Sequence, residues 1–248
     1  MTMNENTRAR LMQVSTATLT TALFKRGLNN TFLQKVVVAG GAGTNMVGQA
    51  YTLRYIPARE DLDGIEAFND RRHPQRVAIE ECPPGQVLVM DSRNDASAAS
   101  SGGLLLTRLM KRGVAGVVTD GGFRDTPEIA NMQFCAYHQR PSAPTNLIKH
   151  HAVDLQLPIA CGGVAVYPGD VMVGDAEGVV CIPAGIADDV AAAAYDQTIY
   201  EDWVATRIEA GAGLFGVYPM TDESERHAFA AWREAELERY PLASSSSK

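Results

Sequence analysis

The sequence predicts a single compact α/β domain that continues into a helical extension at its C-terminal end. Short apolar runs typical of buried strands alternate with amphipathic segments typical of helices. No Pro- or Ser-rich linker separates these elements. Two longer helical segments follow, at about 186–209 and 222–239. The expected divisions are a flexible N-terminus at 1–12, the α/β domain at 13–185, the helical extension at 186–242 and a disordered tail at 243–248.

The composition limits the classes of function that the protein can have. The chain has 248 residues, of which 46% are hydrophobic and 21% are charged, as is ordinary for a globular protein. Its 22 Lys and Arg against 29 Asp and Glu give a net charge of −7, which argues against nucleic acid and anionic membrane surfaces as partners. No stretch supplies the roughly 20 continuous apolar residues that cross a membrane. The polar start MTMNENTRARLMQ lacks an apolar signal core, so we expect a cytoplasmic protein.

The first elements can be read directly from turn and capping residues. Ser15 to Arg26 predicts a helix, with Ser and Thr as capping options and Gly27 as its stop. The segment GGAGTNMVG at 40–48 resembles a phosphate loop, but Gln49-Ala50 stands where such a loop needs Lys and Ser or Thr. It also leads into a strand pattern, QAYTLRYI, rather than a helix. Nucleotide binding is therefore not predicted here.

An octet occurs twice, as PGQVLVMD from Pro84 and PGDVMVGD from Pro168. Each copy is a Pro-Gly turn that starts a short buried strand and ends in Asp. The two copies predict equivalent strand entries into one β-rich core.

The segment from Gly102 to Asp125 contains the most chemistry. Gly102 and Gly103 open a predicted helix, and the amides of its first turn, including Leu104 and Leu105, lack intrahelical partners and can bind a carboxylate. A buried strand, VAGVVT, then leads through a Gly-Gly turn to Arg124 and Asp125.

Arg124 and Asp125 have side chains suited to an oxo-acid site. Arg124 offers a bidentate fork for a carboxylate or enolate, and Asp125 is a hard oxygen ligand for Mg²⁺ or Mn²⁺. The end of a strand is the usual place for such groups in α/β proteins. The alternative is an ordinary Arg–Asp pair on a surface turn.

The stretch GGLLLTRLMKRGVAGVVTDGGFRDTPEI closely resembles a motif of the family that contains class II 4-hydroxy-4-methyl-2-oxoglutarate aldolases and regulators of ribonuclease activity, the RraA-like proteins. The segments STATLTTAL, VGQAYTLRYIP, PPGQVLVMD and YPGDVMVGDAEGVVCIP match in the same order, so the resemblance spans roughly Val14 to Pro183. It implies a fold of sandwiched β-sheets flanked by helices, of the swivelling-domain type. It also implies homotrimers or dimers of trimers, with active sites at subunit boundaries.

The resemblance assigns roles to the motif residues. Asp125 is the expected protein ligand of one divalent ion, Mg²⁺ or Mn²⁺. Arg124 is expected to contact the pyruvoyl part of a 2-oxo acid substrate, whose carboxylate lies against the Gly102-Gly103 turn and the amides of Leu104 and Leu105. A Glu from a neighbouring subunit's C-terminal helix is also expected, and Glu201 is the candidate, with Glu209 behind it.

One residue departs from the aldolase pattern. Many aldolases of the family carry an acidic residue where this chain has Gly103, and the regulator branch often has Gly-Gly at this turn. We expect a metal-dependent lyase that releases pyruvate from a 4-hydroxy-2-oxo acid, with oxaloacetate decarboxylation as a side activity. The alternatives are a non-catalytic regulator that binds a ribonuclease, and another metal-dependent reaction on a sugar-derived 2-oxo acid.

The charged stretch 58–81 adds one further hypothesis. It carries Arg59, Arg71, Arg72 and His73, which are more cationic donors than a surface loop requires. We predict that Arg71 or Arg72 borders the pocket, on the same or an adjacent subunit, and selects the leaving fragment. A solvated charged loop is the alternative.

Overall fold

The computed structural model describes residues 3–41 and 43–240, and the side chain of Leu237 is not described. The predicted disordered tail at 243–248 lies outside these residues. The α-helices are α1 (Glu5–Leu11), α2 (Thr16–Phe24), α3 (Pro74–Glu81), α4 (Gly103–Lys111), α5 (Thr126–Ala130), α6 (Ala187–Glu209) and α7 (Glu223–Ala235). Short 3₁₀ helices lie at Ile65–Asn69, Asn146–Ile148, Ala184–Ile186 and Leu237–Arg239.

The strands form three sheets. They are β1 (Val37–Gly40), β2 (Met46–Pro57), β3 (Val87–Asp91), β4 (Ala99–Ser101), β5 (Gly116–Thr119), β6 (Gly122–Phe123), β7 (Cys135–His138), β8 (Arg140–Pro141), β9 (His150–Leu155), β10 (Ile159–Cys161), β11 (Val164–Val166), β12 (Val171–Gly174) and β13 (Val179–Ile182). The large mixed sheet runs β1-β7-β5-β3-β2-β12-β13, and β9 also pairs with β2. A small sheet runs β4-β6-β8, and β10 and β11 form a hairpin. This is the expected mixed α/β architecture, with a curled sheet, flanking helices and helices at the C-terminal end.

Both octets enter the sheet beside the same strand. In the first copy, β3 runs parallel to β2, with Val87 opposite Ala50. In the second copy, β12 runs antiparallel to β2, with Val171 opposite Gln49. Strand β2 is long enough to pair with β12 through its residues 46–49 and with β3 through its residues 50–54. Both strands predicted from the repeat therefore pair with β2, but they run in opposite directions along it, so they are not equivalent in the sheet.

The two faces of the curled sheet bury different side chains because neighbours along a strand point in opposite directions. On β2, Val47 faces the cluster that holds α1, α2 and α6, whereas Met46 faces the opposite cluster, which includes the hairpin residues Val164 and Val166. Further along the strand, Tyr51 packs with the residues of α3 and α4. Helices thus cover one face of the curl, and the β10–β11 hairpin fills the other.

The N-terminal segment differs from its prediction. We expect flexibility at 1–12, but Glu5–Leu11 form α1, whose Leu11 is fully buried against α2 and α6. The side chain of Asn4 caps the helix by accepting the Asn6 N–H. Thr7 also hydrogen-bonds Asp188 at the start of α6. These contacts give the segment tertiary partners that its polar composition does not reveal.

None of the helices within the described residues is long and apolar enough to cross a membrane.

Candidate active site

The small β4-β6-β8 sheet positions the motif residues. Strand β6 lies between β4 and β8, and the Arg124 N–H donates to the Ser101 carbonyl at 3.1 Å as the chain leaves β6. The carbonyl of Gly102 then accepts from Leu105 and Leu106 and starts α4. One residue before Ser101, the Ser100 carbonyl accepts from Gln75 Nε2 at 2.7 Å. The successive carbonyls of Ser100, Ser101 and Gly102 therefore hold the Gln75 side chain, the Arg124 backbone and the first turn of α4.

Asp125 adopts a left-handed backbone conformation, with φ at 61°, immediately before α5. Asp reaches this region more readily than most residues, although it remains uncommon. In this conformation its carboxylate Oδ2 accepts the Gly103 N–H at 3.1 Å, which places it at the N-terminus of α4. The positive end of the α4 dipole stabilises a negative charge at this point.

Arg124 lies beside the carboxylate. Its Nε is 3.6 Å from Asp125 Oδ1, and both side chains remain partly exposed, at 49% and 39%. Gly102 makes this packing possible, because a Cβ there would stand 2.6 Å from Arg124 Cγ and 2.8 Å from Asp125 Oδ2. The two side chains lie next to each other, as the sequence predicts, and they border a cavity rather than a flat surface turn.

The cavity has a volume of about 250 Å³. Its wall includes Gly102, Leu104 and Leu105 from the start of α4, together with Arg124 and Asp125. The amide of Leu104, the second residue of the helix, has no carbonyl four residues back within α4. The cavity thus brings together a helix N-terminus, a guanidinium and a carboxylate.

The amide of Leu105 differs from its prediction. We expect it to be free, but it donates to the Gly102 carbonyl at 3.0 Å because the first turn of α4 is tightened to a 3₁₀-type bond. Gly103 is also engaged, through Asp125. Of the predicted amides, that of Leu104 is the one left to meet a ligand.

Glu128 is a candidate site residue that the sequence argument misses. Its Oε2 lies 3.1 Å from the point where a Cβ on Gly103 would stand, and Asp125 Oδ2 lies 3.7 Å from that same point. Glu128 therefore brings a carboxylate toward the place of the turn acid that this chain lacks. The sequence signal was its position one helical turn after Asp125, at the start of α5.

The donor set fits a hard divalent cation. The described residues contain no cluster of three or more His, Cys, Asp or Glu side chains that could enclose a metal. Mg²⁺ is ordinarily held by one or two carboxylates, with water and substrate oxygens as its other ligands. Asp125 and Glu128 supply that kind of set beside an open cavity.

Within one subunit, the charged stretch reaches the cavity through residues other than Arg71 and Arg72. Phe68, Gln75 and Arg76 line it, and the Arg76 guanidinium lies 4.2 Å above the centre of the Phe68 ring. Arg71 and Arg72 are exposed and are not among the lining residues, and Arg72 pairs with Asp70. Arg76 lies on α3, which starts at Pro74, whereas Arg71 and Arg72 lie in the turn before it.

Glu201 lies on α6 and is not among the residues that line the cavity of its own chain. It accepts hydrogen bonds from Thr18 at 3.0 Å and from Tyr218 at 3.1 Å, and Gln197 donates to it at 2.9 Å. Glu209, the second candidate, ends the same helix and is exposed. A role for either in the site therefore requires a neighbouring subunit.

Asp120 and His138 are buried titratable groups close to the Arg124–Asp125 motif. Burial raises the pKa of Asp120 to about 6, although its carboxylate accepts backbone N–H groups from Ser92, Asn94 and Gly162. Burial lowers the pKa of His138 to about 4, and its ring stacks on Phe123 at 5.4 Å between centroids. Phe123 precedes Arg124, so this packing fixes the backbone from which the motif side chains project.

Comparison with known proteins bears on identity. The sequence model described as RraA-like, Aldolase/RraA, matches residues 16–181, which is more than half of the chain. The chain belongs to the RraA-like family. A solved RraA-like protein, Streptomyces coelicolor RraAS2, described as an unusual member of the RNase ES inhibitor RraA protein family, is 26% identical. It superposes with a TM-score of 0.72 over 84% of this chain and 99% of that one.

Other relatives extend the comparison. An uncharacterized protein from Pseudomonas syringae pv. tomato has the same fold, with a TM-score of 0.75 at 22% identity, over 88% of this chain and 99% of that one. A Halalkalibacterium halodurans protein named "Putative 4-hydroxy-4-methyl-2-oxoglutarate aldolase" is 35% identical over 46% of this chain. The match spans 53% of that relative, about half its length. A Thermus thermophilus protein named 4-hydroxy-4-methyl-2-oxoglutarate aldolase is 29% identical over 48% of this chain and 71% of its own length.

Proposed function

We propose that this RraA-like protein is a divalent-metal-dependent lyase that cleaves a 4-hydroxy-2-oxo acid to pyruvate and an aldehyde or second oxo acid. The observation that carries the proposal is the convergence of Arg124, the Asp125 carboxylate and the α4 N-terminus on one cavity. Relatives named for an aldolase of this reaction class support it. Oxaloacetate decarboxylation, which passes through the same pyruvate enolate, is the expected side activity.

Different residues stabilise different negative charges of the substrate. The substrate carboxylate lies against the Leu104 amide at the positive end of α4. Loss of the C4 hydroxyl proton lets the C3–C4 bond break, with its electron pair passing to the C2 oxygen as an enolate, and C3 is then protonated to give pyruvate. Arg124 stabilises the oxygen on which this charge develops. Mg²⁺ or Mn²⁺ held by Asp125 would supply Lewis-acid stabilisation of the same charge.

Glu128 is the nearby carboxylate suited to orient the water that accepts the C4 hydroxyl proton. No Lys is required for a Schiff base in this scheme. In a trimer or dimer of trimers, Glu201 of a neighbouring subunit is the proposed additional acid.

The test is pyruvate release from a panel of 4-hydroxy-2-oxo acids and oxaloacetate, with Mg²⁺, with Mn²⁺ and with EDTA. Asp125→Asn should lose both the metal-dependent activity and Mn²⁺ binding by calorimetry, while its thermal midpoint stays near that of the wild type. Asp189→Asn is the control, because Asp189 is an exposed carboxylate on α6 that does not line the cavity. If Asp125→Asn binds Mn²⁺ as tightly as the wild type does, Asp125 is not the metal ligand.

The second candidate is a regulator that binds a ribonuclease. The likeness to RraAS2 over nearly the whole of that protein favours it, as does Gly103 at the turn. Inhibition of an RNase E-type enzyme by the wild type and Asp125→Asn alike, with no pyruvate release from any compound, would favour the regulator.

A further inference from the structure

Three buried polar groups line the cavity beyond the motif residues. They belong to Gln75, Ser101 and Asn146, whose exposed fractions are 2%, 4% and 5%. Within the described part of the chain, Gln75 Oε1, Ser101 Oγ and Asn146 Nδ2 have no hydrogen-bond partner. Buried polar atoms are nearly always paired, and each unpaired one lowers stability. The three residues share one cavity wall, so a ligand in the cavity is the candidate partner for these atoms.

The surrounding hydrogen bonds fix what Gln75 can accept. Its Nε2 donates to the Ser100 carbonyl at 2.7 Å and to the Tyr55 hydroxyl at 3.1 Å. The amide nitrogen is therefore committed to the protein, and Oε1 is left as an acceptor. An acceptor needs an O–H or N–H from the ligand, which an ionised carboxylate cannot provide.

The other two groups complete a neutral set. Asn146 Oδ1 accepts from the Thr145 hydroxyl at 3.4 Å, which leaves Nδ2 as a donor. Ser101 Oγ can both donate and accept. One acceptor, one donor and one group that is both match the hydroxyl groups of a carbohydrate chain better than they match a second carboxylate. Arg76 also lines the cavity, and its guanidinium lies over the Phe68 ring.

Ser100 shows that the free hydroxyl of Ser101 is not typical of this strand. The Ser100 Oγ hydrogen-bonds the hydroxyls of Ser92 at 2.7 Å and Thr119 at 2.9 Å. Ser100 and Ser101 are adjacent on β4 and both are buried, but only Ser101 is among the residues that line the cavity. The Ser100 hydroxyl is satisfied by the protein, and Ser101 borders the cavity.

We propose that Gln75, Ser101 and Asn146 form a second subsite that binds hydroxyl groups on the distal part of the substrate. This inference rests on the proposed function and deepens it: the substrate is a polyhydroxylated, sugar-derived 4-hydroxy-2-oxo acid, and its leaving fragment is a hydroxyaldehyde.

The experiment compares Ser101→Ala with Ser100→Ala on three compounds. The compounds are 4,5,6-trihydroxy-2-oxohexanoate, 4-hydroxy-2-oxopentanoate and 4-hydroxy-2-oxoglutarate, which carry a hydroxylated, a methyl and a carboxylate tail. The wild type should show its highest kcat/KM on the first. Ser101→Ala should raise KM for that compound about threefold to tenfold, as expected for one lost hydrogen bond. KM for the methyl compound should not change.

Stability separates the two serine variants. Ser101→Ala should not lower the thermal midpoint, because its Oγ makes no hydrogen bond to the described protein. Ser100→Ala should lower the midpoint, because it breaks two buried hydrogen bonds, and should leave the preference among the compounds unchanged. Asn146→Leu should repeat the loss of preference seen in Ser101→Ala.

A second readout keeps the subsite distinguishable from the proposed reaction. The trihydroxy compound with Mn²⁺ should raise the thermal midpoint of the wild type and raise that of Ser101→Ala less. This difference without any pyruvate release would uphold the subsite and overturn the lyase. Pyruvate release with equal kcat/KM for all three compounds, or a preference for the carboxylate tail that Ser101→Ala leaves intact, would overturn the subsite and leave the lyase standing.

Discussion

Replacing Gly102 with Ala tests whether the spacing of Arg124 and Asp125 matters. The extended backbone of Gly102, with φ at −148°, accepts any residue, so the substitution introduces no backbone strain. The new Cβ would stand 2.6 Å from Arg124 Cγ and 2.8 Å from Asp125 Oδ2. Relaxed carbon contacts lie at about 3.5 Å or more, so the Arg124 side chain must move by about 1 Å. A misplacement of about 1 Å can reduce kcat about 100-fold.

The assay is pyruvate release with Mg²⁺, accompanied by calorimetric binding of oxalate, which resembles the pyruvate enolate, in the presence of Mn²⁺. Gly103→Ala is the matched comparison, because its nearest contacts would be longer: the flexible end of Glu128 at 3.1 Å, Asp125 Cβ at 3.3 Å and Asp125 Oδ2 at 3.7 Å. Its activity should fall only a few-fold. If Gly102→Ala keeps activity and oxalate affinity within about threefold of the wild type, the observed placement of Arg124 is not the working geometry. A large fall in the thermal midpoint would mean that the substitution disturbs the fold instead.

Two further predictions concern Arg124 and His138. Arg124→Lys should lower kcat with little change in KM, because a point charge cannot reproduce a bidentate fork at the enolate oxygen; raised KM at unchanged kcat would make Arg124 a substrate clamp. Burial lowers the pKa of His138 to about 4 from its usual 6.5, so the unfolded chain takes up the proton first. The wild type should therefore lose about 3 kcal/mol of unfolding free energy relative to His138→Asn as pH falls from 6.5 to 4. Parallel pH curves in urea titrations would contradict this.

Local sequence signals predicted the elements that they control directly. The two Pro-Gly octets mark β3 and β12, and Gly102 marks the start of α4, because turn and cap residues act within a few positions of the chain. The adjacency of Arg124 and Asp125 needed no tertiary information. The strands of the small sheet were different, since β6 and β8 have two residues each and carry no periodic pattern.

The remaining site features depend on contacts distant in sequence. Arg76 lies on the packed helix α3 and borders the cavity, whereas Arg72 lies in the exposed turn before it, and the charge of the stretch is the same whichever Arg borders the cavity. In the first turn of α4, the Leu105 N–H donates to the carbonyl three residues earlier. The same residues could form the ordinary α-helical pattern, so the sequence does not decide between the two. The role of Glu128 becomes visible only when α5 folds back toward Gly103.

The three consecutive carbonyls of Ser100, Ser101 and Gly102 join the side chain of Gln75, the backbone of Arg124 and the first turn of α4. Three residues of chain therefore serve as a common anchor for parts of the protein that are far apart in sequence. A local opening that releases this segment loosens the hydroxyl-lined wall, the guanidinium and the helix terminus together, because their other hydrogen bonds, from Gln75 to Tyr55 and from Gly103 to Asp125, join the same parts to one another. Opening here is consequently cooperative. The groups that surround the cavity therefore stay in place together or open together. The amides of Arg124 and Leu106 should exchange their hydrogens through the same opening event.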